Sequence, residues 1–544
     1  MRPRVQALLR GQTDTMGLWA KSVLIFNAIH TYGQQSVRGL AERIGLSKSS
    51  VHRHLQAIKR RDCYPESSLW ETEVGRTWLL RLVVATLFVF GLKRGVGAET
   101  LSEFFSRLHL EAHVGCSPNT LRSVMHTLER LILDTAAAWE QEGIAHGEIR
   151  PVIGAVDETF LQRLMLVFMD LASGYLLLEE VAVDRTYDTW HGVVKAQLKT
   201  LGVEVAYLVS DRAKALIKLA ETGLDCRSIP DLFHLSHDLA KSASLAIFSR
   251  LRQAQQALTQ ARERLATLRV SHPGHAQTQQ AQACVVASEA EVQRWQDVRS
   301  TYRTHLSNLS RLLHPWCLVD ATRHTSQEVE RKLHAEVAAL EMVLATQGLP
   351  VKKTVLEKVR KQLAGIAALV DLWWQRVRHD LEPMALTPKW TQWVYELLLP
   401  LMYWQEHVSR TRCLPHKAQI AQALKTIQEA FERHPCTQRL APEVLADWKA
   451  WAADHAKAFQ RASSAVEGRN GYLSQMQHNH RGLPKRRYQV WTVLHNFDCR
   501  DADGTTPASR FFRRGFPDLF EHALSHIDNL PHPRQRHQAL AVRG

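Results

Sequence analysis

Three carboxylates stand where they could hold divalent cations. Asp157 closes the apolar run Ile153-Gly154-Ala155-Val156, Asp211 closes Ala206-Tyr207-Leu208-Val209-Ser210, and Glu467 follows Ser463-Ser464-Ala465-Val466. An acid at the end of a buried strand is held rigidly with its oxygens facing solvent, and two such strands side by side can offer both acids to one ion. The chemistry that such a cradle serves is phosphodiester cleavage or transfer. A nucleophilic oxygen must be activated and a departing oxyanion neutralised, and two magnesium ions roughly 3.5 to 4 Å apart accomplish both. Magnesium, for which Mn2+ can substitute, prefers oxygen ligands, so neither histidine nor cysteine is required. Taken singly, any of these acids reads as one more solvated side chain; the trio in strand, strand and helix contexts carries the argument.

The elements that must position these acids follow from the periodicity. From Pro151 the apolar residues form short runs, Val152 to Asp157, Leu164 to Asp170 and Tyr175 to Val181. A helical pattern over Tyr187 to Leu201 comes next, and then Val203 to Asp211 and a further strand near Cys226 to Pro230. This β-β-β-α-β order is that of an RNase H-like mixed sheet, in which the first and fourth strands are neighbours and Asp157 meets Asp211. Between about Leu245 and Gln460 strand signals vanish. Ile247, Leu251, Ala254, Leu258, Ala261, Leu265 and Leu268 alternate spacings of four and three, and Val285, Val292 and Trp295 continue beyond Ser271-His272-Pro273-Gly274, predicting an antiparallel helical hairpin. Trp373, Trp374, Trp390, Trp393 and Trp404 lie at helical spacings and read as core; stacking on an unpaired base is the other reading.

Residues from about Lys21 to Arg61 predict a helix-turn-helix, with Val37, Leu40, Ala41 and Ile44 apolar, Gly45 at the turn and Ser47 as cap of the second helix. Lys48, Ser50, His52, Arg53 and Lys59 would then face base edges or phosphates. A second such pattern is expected over Leu101 to Leu131, with Gly115-Cys116-Ser117-Pro118 as its corner, unless that segment is a packing hairpin.

The domain reading is therefore 1–65 helix-turn-helix, 66–150 helical, 151–245 first part of the α/β domain, and 246–460 a large all-α insertion. Residues 461–500 are its second part with Glu467, and 501–544 a basic tail. The net charge of +15 and pI near 9.5 favour a polyanionic partner, nucleic acid first, although a merely basic protein or a ribosome or membrane-surface binder has the same balance. Eight scattered cysteines without metal spacing predict reduced thiols. Residues Leu79 to Leu92 are the most apolar stretch but are interrupted by Arg81, so a buried helix is expected. No apolar segment follows Met1-Arg2-Pro3-Arg4, so the cytoplasm, in association with the nucleoid, is the expected location.

These motifs together resemble the DDE transposases of bacterial insertion sequences whose RNase H-like domain is interrupted by a helical insertion between the second Asp and the Glu. Asp231-Leu232-Phe233-His234 is similar to the signature, Cys or Asp then two residues then His, that follows the second acid in Mutator-like and hAT-like transposases. The resemblance covers about 151–245 and 461–497. Glu467-Gly468-Arg469-Asn470 departs from the Tyr, Arg, Glu, Lys signature of some insertion-sequence enzymes. The resemblance implies that Asp157 and Asp211 bridge or flank two Mg2+ ions and that Glu467 completes one site. Asp231 and His234 would support the ligands or organise DNA near the cut, and Arg469 would clamp a phosphate or pair with Glu158 or another acid. His478, His480, Arg481, Lys485, Arg486 and Arg487 would bind backbone phosphates. The partners implied are double-stranded DNA with terminal inverted repeats and target DNA, with no membrane, and a homo-oligomer, dimer or larger, in the synaptic complex. The competing expectation is a DNA-binding regulator, or a domesticated derivative without catalysis.

Overall fold

The computed structural model describes residues 16–33, 35–144, 150–271, 276–350, 352–478 and 485–533. The chain divides into two compact units, one of residues 1–146 with 472–544 and one of 147–471. The division falls inside the helix that carries Glu467, so the span 461–500 does not form one piece.

The first unit begins with three short helices, α1 (Leu18–Tyr32), α2 (Val37–Ile44) and α3 (Lys48–Arg61). Ile25, Ala28, Leu40, Ala41, Leu46 and Val51 form their shared core. Gly45 sits at φ 72°, a left-handed corner that a side chain rarely adopts, and the Ser47 hydroxyl accepts the Ser50 N–H at 3.2 Å to cap α3. Glu71 anchors the far end of α3: its buried carboxylate takes a two-pronged bond from Arg61, at 2.5 and 2.8 Å, and a third from Arg76 at 2.7 Å. The apolar stretch lies in the helix Glu73–Lys93, the one helix among the described residues long and apolar enough by length and composition to cross a membrane. Leu79, Val83, Val84, Leu87, Phe88 and Leu92 on it are buried within the protein. At the second corner Gly115 donates its N–H to Pro531 O at 2.7 Å, and a Cβ there would meet His532 O at 2.8 Å. The helix that follows, α4 (Pro118–Ile144), buries Leu121, Met125, Leu128 and Ile132, while Arg122 pairs with Glu99. The packing-hairpin description fits this segment.

The second unit is built on one mixed five-stranded sheet. Its strands are β1 (Arg150–Phe160), β2 (Leu164–Asp170), β3 (Leu176–Ala182), β4 (Val203–Ser210) and β5 (Arg227–Pro230), in the order β3-β2-β1-β4-β5. Strand β2 runs antiparallel to both β1 and β3, and β4 runs parallel to β1 and β5. The first and fourth strands are thus neighbours. Both faces are covered, so Val152 to Val156 and all of β2 are buried. Gly154 fits where a Cβ would lie 2.5 Å from the Phe168 ring and 2.7 Å from Leu208. Helix α5 (Tyr187–Leu201), capped by Thr186, connects β3 to β4.

After β5 the unit is helical apart from the isolated Trp316–Arg323 bridge. Helices α6 (Leu232–Ser271) and α7 (Ala276–Leu312) form the expected hairpin, with Leu265, Ala281 and Val285 buried towards its far end. Helix α8 (Lys353–Leu381) carries Trp373 and Trp374, whose ring centroids stand 5.3 and 5.0 Å from that of the fully buried Trp316. Trp393 and Trp404 are buried too, while Trp390 is half-buried. All of these tryptophans but Trp390 are core.

Helix α9 (Ser464–His478) closes the unit's acid site, and α10 (Lys485–Phe497) belongs to the first unit. On α10, Arg487 bonds buried Glu129 at 2.7 Å and Gly91 O at 3.2 Å. Arg487 is therefore a structural residue and not a phosphate contact. It shares the inward face of α10 with Tyr488 and Trp491.

Candidate functional site

Strand and helix phases decide which acids meet. Asp157 and Glu158 are consecutive on β1 and so project to opposite faces. Glu158 accepts the Trp190 indole N–H at 3.2 Å, on the side of α5, and Arg185 approaches it at 3.6 Å. Asp157 faces the other way, towards α6 and α9. There, one ligand atom each from Asp157, His234 and Glu467 lies within 4.8 Å of the others, the one group of this kind among the described residues.

Several bonds bring Glu467 to that point across the long helical region. Tyr207 on β4 donates its hydroxyl to Ala458 O at 2.9 Å and accepts the Gln460 N–H at 3.1 Å, fixing the approach to α9. Arg461 accepts the Leu232 N–H on its own carbonyl. Asp231, just before α6, then organises both helix starts. Its Oδ1 accepts the N–H groups of Phe233 and Ser463 at 2.9 and 3.0 Å, and its Oδ2 accepts the Ser463 hydroxyl and His234 Nδ1, each at 2.5 Å. Further along α9, Arg469 makes a buried two-pronged ion pair with Glu179 on β3, at 2.6 and 2.7 Å. Asn470 donates its side-chain N–H to Asp157 Oδ2 at 2.8 Å.

Of the alternatives for Arg469, pairing with an acid is the one realised. The acid is Glu179 and not Glu158, and a guanidinium sealed in that pair is not presented to a phosphate. Asn470 and Ser463 are the site residues that the sequence reading missed. The signal for Asn470 was its spacing of three from Glu467, which puts both on one helix face.

The electrostatics of the cluster are strongly perturbed. Burial, and then the Glu467 charge, push the Asp157 carboxyl up to about 7 from its ordinary 3.8. The bond to Asp231, reinforced by the charges of Asp157 and Glu467, pushes His234 up to about 9 despite burial. His234 is therefore an imidazolium at neutral pH, with Nδ1 held by Asp231 and Nε2 at 3.3 Å from Glu467 Oε1. Asp231 stays below the ordinary carboxylate range because its hydrogen bonds outweigh its burial.

Asp211 stands outside this trio, contrary to the expected three-acid cradle. Strand β4 stops at Ser210, Arg212 turns left-handed at φ 64°, and the Asp211 carboxylate accepts the Ala213 N–H at 2.8 Å. Burial raises Glu158 and the Asp211 charge adds to it, whereas the acid that adds to the burial of Asp157 is Glu467. Asp157 and Asp211 nevertheless lie two residues beyond the paired Ala155 and Val209, at the same end of adjacent strands.

The candidate nucleic-acid face of the first unit is the second helix of the helix-turn-helix. Lys48, His52, Arg53 and Lys59 on α3 are exposed and Ser50 is half-buried, while Val51 and His54 turn inward. Lys485 and Arg486, at the start of α10, and His478, at the end of α9, are exposed; Arg481 and His480 lie outside the described residues.

Among curated proteins none matches this chain. Residues 394–539, a span that takes in Glu467, Arg469 and Asn470, match DUF6399, a family of unknown function.

Proposed function

We propose that the protein is a metal-dependent polynucleotidyl transferase of the DDE transposase type, cutting and joining DNA at element ends. The observation that carries this reading is the meeting of Asp157 and Glu467, distant in sequence, with His234 in a single cluster beside the central strand of a mixed sheet. The strand order, with β2 alone running opposite to the others, supports an RNase H-like domain. The helix-turn-helix supports recognition of inverted repeats.

Two hard carboxylates with oxygens within 4.8 Å of one another, one of them pushed towards protonation by burial and then by the other's charge, are a donor set that suits a divalent cation. Asp157 and Glu467 would hold it. The chemistry that Mg2+ would supply there is activation of the attacking oxygen and neutralisation of the leaving one. The protein's own part is positioning. Asn470 fixes the rotamer of Asp157 through its Oδ2, and Asp231 fixes the ring of His234 through Nδ1. His234, protonated on Nε2, is a donor for a phosphate oxygen rather than a nitrogen ligand for the ion. Asp211, two residues beyond the paired Val209, would be the third acid of this reading.

The position of Asp211 outside the cluster is the one observation that favours the second reading, a DNA-binding derivative without catalysis. Strand cleavage of repeat-ended DNA with Mg2+ separates the two. The wild-type chain cuts, and Asp157→Asn and Glu467→Gln each abolish cutting while leaving binding to the repeats intact. Cleavage by Asp157→Asn at the wild-type rate, or none by the wild type in Mg2+ or Mn2+, sinks the catalytic reading.

A further inference from the structure

The hairpin carries a second feature that the acid site does not use. On α7, Arg299, Arg303 and Arg311 line one open groove together with Gln296 and Ser300, and the loop residue Cys413 forms its other wall. No carboxylate lines this groove. Elsewhere on the hairpin, Arg262 pairs with Glu289 and Arg294 with Glu291. Among the described residues Arg299 and Arg303 have no such partner.

This is not the usual solvated charge run. Such faces alternate signs at spacings of three and four, whereas Arg299 and Arg303 are like charges one turn apart, an arrangement unfavourable to the helix itself. Thr304 and Ser307, interleaved with them, donate their hydroxyls back to carbonyls of α7 at 3.0 and 2.9 Å, so neither hydroxyl competes with the guanidinium groups as a donor in the groove. Arg311 donates to the Cys413 sulfur at 3.4 Å.

The groove also runs towards the acid site. At its Arg311 end, Arg461 donates to Ser310 O at 2.6 Å and to Leu313 O at 2.8 Å. The carbonyl of the same Arg461 accepts the N–H of Leu232, the residue after Asp231. One buried arginine thus links the end of the groove to the base of the His234 cluster. From Arg299 to Arg311 the helix rises about 18 Å, which spans about five nucleotide steps of a duplex strand at 3.4 Å each.

We propose that this groove is a track for the phosphodiester backbone of double-stranded DNA leading to the Asp157–His234–Glu467 cluster, a reading that rests on DNA being the substrate. The test is the salt dependence of binding, which does not require cleavage. Fluorescence polarisation of a labelled duplex is followed from low to high salt for the full chain and for Arg299→Gln/Arg303→Gln. Comparison variants are the charge-retaining Arg299→Lys/Arg303→Lys and Lys425→Gln/Arg439→Gln, the latter removing two exposed charges away from the groove.

Losing two phosphate contacts should lower the slope of log K against log salt by about 1.8. The lysine pair and the distant pair should keep the wild-type slope. If the groove and distant pairs change it equally, or the groove pair changes nothing, the track is refuted while the functional proposal stands. If the wild type binds no duplex at all, both fall. Displacement of duplex by polyglutamate as effectively as by unlabelled DNA would assign the groove to an acidic protein and also refute the track.

Discussion

At the scale of single residues, the cluster stores charge in an arrangement that costs stability when no cation is bound. Asp157 has a folded-state pKa near 7, above its ordinary 3.8, so the folded protein favours its protonated form. The penalty of ionising it is absent below about pH 4, grows as pH rises and is complete above 7. His234, raised from 6.5 to about 9, contributes stabilisation that is full below 6.5 and lost as pH rises through 9. The two groups act in the same direction. In EDTA, the melting temperature contributed by this unit is expected to fall from pH 4 to 9. Asp157→Asn should flatten the part between 4 and 7, and His234→Gln the part between 6.5 and 9. A melting profile in which neither variant changes the slope would show that the cluster is not coupled as described. Magnesium at saturating concentration should reverse the Asp157 contribution, because the ion stabilises the ionised form.

At the scale of elements, what places the cluster is how α9 is tied to the sheet. The Arg469–Glu179 pair is buried on both sides, and a buried charge left alone is far more costly than the pair is favourable. Arg469→Met is therefore expected to destabilise the second unit by about 3–5 kcal/mol, and adding Glu179→Leu to restore most of that loss. Denaturant unfolding followed by a probe on the unit checks this; a single variant as stable as the wild type would contradict the account of α9. Much of this element layout was legible in the sequence. The apolar runs ending in Asp157 and Asp170, the helix over Tyr187 to Leu201, the hairpin and the Gly45–Ser47 corner all follow from periodicity and caps, which are local. The rest depends on pairings across the chain. The absence of Asp211 from the cluster, and the partner of Arg469, are set by tertiary context. Arg487 was read with a basic run, yet the helical period turns it inward beside Tyr488 and Trp491, onto Glu129.

At the scale of the whole molecule, each unit has a cationic surface suited to nucleic acid, the exposed face of α3 in one and the groove on α7 in the other. The excess of 15 positive charges gives the protein a long-range attraction for polyanions that weakens with salt. Such attraction alone would suit a regulator as well as an enzyme, so the function turns on whether the acid cluster takes up a metal. The match to DUF6399 spans the glutamate of that cluster but carries no chemistry with it. The most direct measurement is anomalous diffraction at the manganese edge from crystals of the full chain grown with Mn2+. The account predicts a manganese peak bonded to carboxylate oxygens of both Asp157 and Glu467, with the His234 ring still held by Asp231. No peak between those two acids, or one held elsewhere while they stay bonded only to Asn470 and His234, would contradict it.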